Sequence, residues 1–328
     1  MPKISAILTG TGSHLPEKRL TNQDLAELVE TSDEWITQRT GIKERRIAAG
    51  DETSASLGSH AATKALKAAK LEPKDLDLII CATITPEMVT PSTACFIAHS
   101  LGLDSIPAYD MNAACSGFVY AMEQAAAFIE SGRHRNILVV GAETISRITD
   151  WSDRTTCILF GDGAGAVVMR ASDDPDRGLL YSEMHSDGGG WEILHCAVGS
   201  RHPINEKMVA AGSQFLKMRG REVFKFAVTK LNEVVDNTFA QTGFTPADVK
   251  MIIPHQMNQR IIAALVDRLG LPMEQALINI DRYGNTSAAS IPIALDEAVR
   301  AGKLTEGDLV LFLGVGAGLT WGSALLRL

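Results

Sequence analysis

The sequence predicts an α/β protein made of two duplicated halves, and two observations carry the prediction. Short apolar runs alternate with helix-like segments, the pattern of sheets covered by helices on both faces. The chain also repeats itself. Leu71-Glu-Pro-Lys-Asp75-Leu-Asp-Leu-Ile79-Ile80 matches Phe244-Thr-Pro-Ala-Asp248-Val-Lys-Met-Ile252-Ile253, and Asn136-Ile-Leu-Val-Val-Gly141 matches Leu309-Val-Leu-Phe-Leu-Gly314. Between them, Ala121-Met-Glu-Gln-Ala125 matches Ala294-Leu-Asp-Glu-Ala298, and the separation within every pair is the same. Three matches at one spacing mark a duplication where any one alone would be weak.

Each half then reads, in order, as a helix with an acidic Pro-x-Asp lead-in, a buried strand, a central small-residue helix and a second buried strand. The central helices open at Ala114 and Thr286, are rich in Ala and Ser, and are expected to lie buried between two sheets. The polar, turn-rich stretch Ala171-Ser-Asp-Asp-Pro-Asp-Arg177 divides the halves into residues 1–174 and 175–328. No low-complexity linker intervenes, so the halves should form one rigid body.

Bulk properties narrow the function. At 328 residues the chain holds two domains or one large core. A net charge of −8 argues against a general binder of nucleic acid or membrane surfaces. The five cysteines (81, 95, 115, 157 and 196) are odd in number and form no CxxC pair, which suits a reducing compartment and neither a disulfide framework nor a structural zinc site. No signal-peptide pattern follows Met1-Pro-Lys, and no apolar run approaches a membrane span. A soluble cytoplasmic protein is expected.

The stretch Asp110-Met-Asn-Ala-Ala-Cys115-Ser-Gly-Phe118 places a cysteine between a strand-like run, Ile106-Pro-Ala-Tyr109, and a helix from Gly117 to Ile129. A thiol at a helix N-terminus meets unpaired N–H groups and the positive end of the macrodipole, which favour thiolate and can bring its pKa to roughly 3.5–7.5. Partners for such a nucleophile stand in two later segments, Ile252-Ile-Pro-His255-Gln-Met-Asn258-Gln-Arg260 and Tyr283-Gly-Asn285-Thr-Ser-Ala-Ala-Ser290. Lone Cys, His and Asn residues are a weak pattern, but all three fall at strand ends or helix starts, where α/β proteins gather their chemistry. His255 could instead cap its loop, and Asn285 could serve the turn beside Gly284.

At these residues the chain resembles the β-ketoacyl-acyl carrier protein synthase III family. The resemblance runs from Ile7-Leu-Thr-Gly-Thr-Gly12 to Thr320-Trp-Gly-Ser-Ala324 and includes Thr31-Ser-Asp-Glu-Trp35-Ile36, Arg39-Thr-Gly-Ile42, Phe160-Gly-Asp-Gly-Ala-Gly165 and Gly314-Val-Gly-Ala-Gly-Leu-Thr-Trp321. It implies the thiolase fold, with two α/β halves stacked in five layers, α-β-α-β-α. It also implies an acyl-CoA thioester attacked by Cys115, then decarboxylation of a malonyl-acyl carrier protein whose enolate takes the acyl group. His255 Nε2 and the Asn285 amide would donate to the enolate oxygen, each such donor being worth roughly 2.7–4 kcal/mol in a dry site. The acyl oxygen would sit against backbone N–H groups of Cys115 and of Ala317, with Gly316 one register away. A phosphate-cradle reading of that loop is weak, since no Lys-Ser/Thr follows it; Gly161-Asp-Gly-Ala-Gly165 looks like close packing at a strand start.

The resemblance further implies that Trp35 stacks on adenine, with Arg39 and Arg154 as charged partners of CoA phosphates. Arg260 and Lys225 match carrier-protein docking positions, although Asp267-Arg268 stands where relatives can have two basic residues. Phe224 and Met257 flank the acyl tunnel, and Thr90 borders the partner subunit's acyl pocket in an expected homodimer. No metal or cofactor is implied, CoA entering as a thioester substrate. Open alternatives are a relative using malonyl-CoA or priming a secondary pathway, a Cys-His-Asn thioesterase or papain-like peptidase, and a non-catalytic acyl-binding scaffold.

Overall fold

A computed structural model describes residues 4–328; Met1-Pro-Lys3, read above for a signal pattern, lie outside the described residues. Nine strands make the two central sheets: β1 (Ser5–His14), β2 (Leu78–Ala82), β3 (Ala108–Met111), β4 (Asn136–Thr144), β5 (Asp162–Ser172), β6 (Gly178–Ser186), β7 (Met251–Pro254), β8 (Leu309–Gly316) and β9 (Thr320–Arg327). The first sheet runs β1-β5-β4-β2-β3 and the second β7-β8-β9-β6. Parallel pairing of β2 with β4 is repeated by β7 with β8, and the antiparallel β4–β5 and β5–β1 pairs by β8–β9 and β9–β6. The repeat seen in the sequence is therefore a duplication of sheet topology. The chain passes from one sheet to the other between Ser172 and Gly178.

Seven helices matter for the site: α1 (Asp33–Thr40), α2 (Ser54–Ala69), α3 (Thr93–Ser100), α4 (Gly117–Glu130), α5 (Gly220–Thr242), α6 (Gln259–Arg268) and α7 (Ser290–Arg300). Strand alternation assigns the layers. Leu78, Ile80, Ile137 and Val139 point inward to α4 and α7, together with Ile253, Val310 and Phe312 of the other sheet. Ile79, Cys81, Leu138 and Val140 point outward to α2 and α3. On the far side, Ile252, Leu311 and Leu313 pack against α5 and α6. The stacking is α-β-α-β-α, the arrangement of the thiolase fold.

Small residues let the middle layer close. A Cβ on Gly141 would stand 2.4 Å from the Ala288 carbonyl oxygen, so only glycine permits this approach. The central helices differ from expectation at their starts: 3₁₀ turns, Ala114–Ser116 and Ser287–Ala289, precede α4 and α7. These two elbows are copies of one another. Ala114 and Ser287 occupy equivalent positions of the repeat, and both have φ of +48°, uncommon for residues with a side chain. In each, an asparagine two residues earlier accepts from the N–H of the residue at positive φ: Asn112 at 3.3 Å, Asn285 at 2.8 Å. The expected strand at Ile106–Tyr109 begins two residues later; β3 starts at Ala108, after Pro107, which has no N–H to give a ladder.

Candidate active site

Cys115 sits on the first elbow, clamped from both sides. Thr320 Oγ1 donates to the Ala113 carbonyl at 2.8 Å, and Ser116 Oγ donates to the Thr320 carbonyl at 3.1 Å. Gly316 lies flat against the nucleophile, its missing Cβ falling 2.6 Å from the Cys115 nitrogen. Asp110, heading the cysteine motif, accepts from the Thr93 and Ala94 N–H groups at 2.7 and 2.8 Å and so caps α3. One expectation is reversed here. Burial pushes the Cys115 thiol up, to about 12, against the pull of the Ser287 hydroxyl, and the Glu143 carboxyl pushes it further. Helix placement alone does not make a resting thiolate, because desolvation is the larger effect.

His255 follows β7, its N–H donating to the Leu313 carbonyl at 2.8 Å. Its ring is buried, and Nδ1 lies 2.7 Å from Ser290 Oγ, which also accepts from the Gln256 N–H at 3.3 Å. The Gln256 side chain fixes this loop through the carbonyls of Pro254 and Leu277 and the N–H groups of Asn279 and Ile280. Burial drives the imidazole pKa down to about 3, so the ring is neutral. Asn285 is held by its backbone, which donates to the Leu159 carbonyl and accepts from the Gly161 N–H. Because Oδ1 is engaged by Ser287, the Asn285 amide NH₂ is the end left to donate.

Cys115, His255, Asn285 and Gly316 line one cavity of about 860 Å³, and so do Trp35, Arg39 and Arg154. The Trp35 ring carries two guanidiniums, Arg39 at 4.8 Å and Arg154 at 5.0 Å from its centroid. Arg39 gets there by following Trp35 by one turn of α1, and Arg154 is steadied on the Glu30 carbonyl at 2.7 Å. Phe224 and Met257 line the same cavity, with the Arg260 guanidinium 5.7 Å from the Phe224 ring. Lys225 and Thr90 are exposed and outside the lining, as is the half-buried Ala317. Arg268 is already paired, both Asp236 oxygens accepting from it at 2.6 and 2.8 Å. Glycines of the 161–165 stretch abut backbone and core, Gly165 facing Pro292 and Ile293, as close packing requires.

Comparison with known proteins settles the relationship. Residues 109–188 match the family model for 3-oxoacyl-[acyl-carrier-protein] synthase III, and residues 239–328 match its C-terminal counterpart. Beta-ketoacyl-[acyl-carrier-protein] synthase III of Xanthomonas campestris is 51% identical over 325 residues, covering 99% of each chain. The chain belongs to the β-ketoacyl-acyl carrier protein synthase III family. It is thereby an acyl-transferring condensing enzyme. The crystal structure of 3-oxoacyl-[acyl-carrier-protein] synthase III from Aquifex aeolicus superposes with a TM-score of 0.92 at 48% identity, covering 98% of this chain and 100% of that one. The priming β-ketosynthase of the R1128 polyketide pathway gives 0.93 at 37% identity, over 100% and 98%.

Within this family member, two buried charged residues escaped sequence reasoning. Arg45 is fully buried with no carboxylate among its hydrogen-bond partners; it donates to the carbonyls of Leu20 and Ile158 and to Asn22 Oδ1 at 2.8–3.1 Å. Asn22 in turn donates to Asp33 at 2.8 Å, so Arg45 ties α1, the Trp35 helix, to the segment carrying Arg154. Burial lowers its pKa to about 10. Glu143, at the end of β4, is equally buried and accepts from Thr83, Ile84 and Thr85, with the Ala288 N–H at 3.5 Å. Burial raises its pKa to about 7. Neither residue stands in a local pattern that announces it.

Proposed function

We propose that Cys115 takes the acyl group of a short acyl-CoA, releases CoA, and passes that group to the enolate formed from malonyl-acyl carrier protein. The products are a 3-oxoacyl-acyl carrier protein and carbon dioxide, the opening condensation of fatty-acid synthesis. One observation carries the reading: Cys115, His255 and Asn285 line the same cavity as Trp35, Arg39 and Arg154, so the nucleophile lies within one cavity of an aromatic-and-guanidinium site suited to a nucleotide phosphate. Splitting the transfer through an acyl-thioester lets one site serve two substrates in turn.

Neutral His255 acts here as a donor. In this reading Ser290 Oγ, which accepts from the Gln256 N–H, gives its own proton to His255 Nδ1, and the ring proton sits on Nε2. That N–H and the free Asn285 NH₂ are the donors for the enolate oxygen. The Cys115 and Ala317 N–H groups hold the acyl oxygen in this reading: Gly316 pairs with Thr320, whereas odd-numbered positions of β8 such as Leu313 turn toward β7 and His255. Exposed Arg260 and Lys225 supply positive charge for an acidic carrier protein on a chain that is otherwise net negative.

The homodimer and the cytoplasmic setting belong to the same proposal. The open edge of β3 and exposed Met88 and Val89 support self-association, with Thr90 beside them. All five cysteines are free, and no described helix is long and apolar enough to cross a membrane. The chemistry needs protein groups and the CoA thioester alone. Intact mass after brief exposure to acyl-CoAs, followed by addition of malonyl-acyl carrier protein, tests the reading. One acyl adduct on Cys115 that is chased into a 3-oxoacyl product supports it; release of free acid would favour a hydrolase, and absence of any adduct would refute it.

A further inference from the structure

A second cavity, of about 980 Å³, lies away from Cys115 and shares no lining residue with the first. It opens where α2 of one half meets α7 of the other, across Ser13 near the end of β1. β1 is the edge of the first sheet opposite β3, so self-association through β3 leaves this cavity open. Five cationic side chains line it: Lys64 and Lys67 from α2, Arg300 from α7, and Lys303 and Arg282 beside them. Only two carboxylates, Asp296 and Glu297, stand against these. On a chain with a net charge of −8, such a concentration of positive charge needs a reason.

Both carboxylates are already engaged. Buried Asp296 accepts from Thr11 and Ser13 at 2.8 and 2.6 Å, and from Arg300 Nε at 2.9 Å. Glu297 accepts from Asn279, Tyr283 and both Arg282 Nη groups at 2.6–3.0 Å. The cations keep donors to spare. Both Arg300 Nη groups lack a partner among the described residues, as do the Lys67 and Lys303 ammonium groups, and Lys64 Nζ uses one N–H on the Ser13 carbonyl at 2.6 Å. Cations often gather at helix C-termini to meet bare carbonyls, and α2 and α7 both end here. Those carbonyls are already met. Leu66 and Lys67 accept from the Lys70 and Leu71 N–H groups, and Glu297, Ala298 and Val299 accept from those of Ala301, Lys303 and Gly302. The repeat supplies an internal control. At the same spacing, Lys64, Lys67 and Arg300 become Asn237, Ala240 and Ala127 in the other half, whereas Asp296 keeps its carboxylate as Glu123. The fold therefore does not require these cations.

We propose that this cavity binds a small organic molecule carrying two phosphate groups, one held by the α2 lysines and the other by Arg300 and Lys303. Ammonium and guanidinium donors suit phosphate oxygens, and here the free donors come from two elements belonging to different halves. Ala68, Leu277 and Ala301 add apolar lining for the carbon skeleton. The site is separate from the acyl-transfer cavity and stands whether or not Cys115 is acylated. Its ligand ties the outer helix of one half to the central helix of the other.

Phosphorus NMR titration with fructose 1,6-bisphosphate tests this, with orthophosphate as the single-phosphate comparison. Three proteins are compared: the wild-type chain, Lys67→Ala/Lys303→Ala and Arg39→Ala/Arg154→Ala. The first double variant removes two exposed side chains that hold nothing in place, so it keeps the fold. The second removes the same charge from the Trp35 cavity. The wild-type chain should bind the bisphosphate saturably, at least about tenfold more tightly than orthophosphate, and less tightly as salt is added. Lys67→Ala/Lys303→Ala alone should weaken that binding, by at least about tenfold. Absence of saturable binding overturns the site, and orthophosphate binding of equal strength overturns its two-phosphate character. Equal weakening by both double variants would reduce the effect to diffuse charge, and weakening by Arg39→Ala/Arg154→Ala alone would put the probe in the Trp35 cavity; either result refutes the proposal.

Discussion

Replacing Gly316 by alanine probes the heart of the site with a single methyl group. That methyl would stand 2.6 Å from the Cys115 nitrogen and 3.2 Å from its Cα and Cβ. Contacts of this kind settle near 3.5 Å, so about 0.9 Å must be found by moving backbone. No rotamer change helps, since the obstructing nitrogen belongs to an elbow already clamped by Thr320 and Ser116. Overpacking of this sort costs about 1–3 kcal/mol, which a folded chain can absorb. Catalysis is less forgiving, because the atom displaced is the proposed oxyanion donor, and loss of one such donor costs about 10²–10³ in rate. Gly316→Ala should therefore fold, bind CoA with unchanged affinity at Trp35, and form acyl-Cys115 at least about 10²-fold more slowly. Rapid-quench mass measurement reads the acylation rate, and titration calorimetry reads CoA. Acylation within about threefold of wild type would mean that the Cys115 N–H does not hold the acyl oxygen.

Three further outcomes follow from the structure. His255 is neutral when folded, with a pKa of about 3 against 6.5 unfolded, so stability is complete above the higher value and is lost as pH falls toward the lower. The loss amounts to roughly 5 kcal/mol, and denaturant melts of His255→Gln should lack it; identical acid limbs for both proteins would refute the assignment. Trp35→Ala should weaken CoA binding by about 1–3 kcal/mol without changing Cys115 alkylation, and calorimetry showing an unaltered Kd would remove the stacking role. Arg45→Met trades a buried cation for an apolar side chain; a several-fold rise in KM for acyl-CoA at constant kcat is expected, whereas an equal fall in kcat would place its influence at Cys115 instead.

Much of this was legible from the chain alone because it is written locally. The constant spacing between matched segments disclosed the repeated topology, and a cysteine, a histidine and an asparagine at element ends could be read as one constellation. Trp35 and Arg39 lie one helical turn apart, which a sequence displays directly. Burial is not written that way. The thiol at Cys115 runs opposite to its helix-start expectation because the desolvation comes from layers far along the chain. Arg45 and Glu143 were invisible for the same reason: their partners, from Leu20 to Ile158 and from Thr83 to Ala288, are far apart in the chain and meet only in the folded structure. Ser290 stood in a quoted motif, but its task of bonding His255 appears only when α7 meets the end of β7.

The meeting of the two elbows has an electrostatic consequence. Ala288 and Gly117 approach so closely that a Cβ on the glycine would touch the alanine side chain at 3.6 Å, so α4 and α7 bring their N-terminal ends to one place. Each such end is worth about half a positive charge, and two of them sum to about one. Glu143, when ionised, supplies a single negative charge at that junction and offsets it. Burial brings that carboxyl to about 7, so its protonation near neutrality would remove the offsetting charge. The two helix ends would then act on the site without a counter-ion, so the field felt by a developing negative charge beside Cys115 should strengthen as pH falls through neutrality.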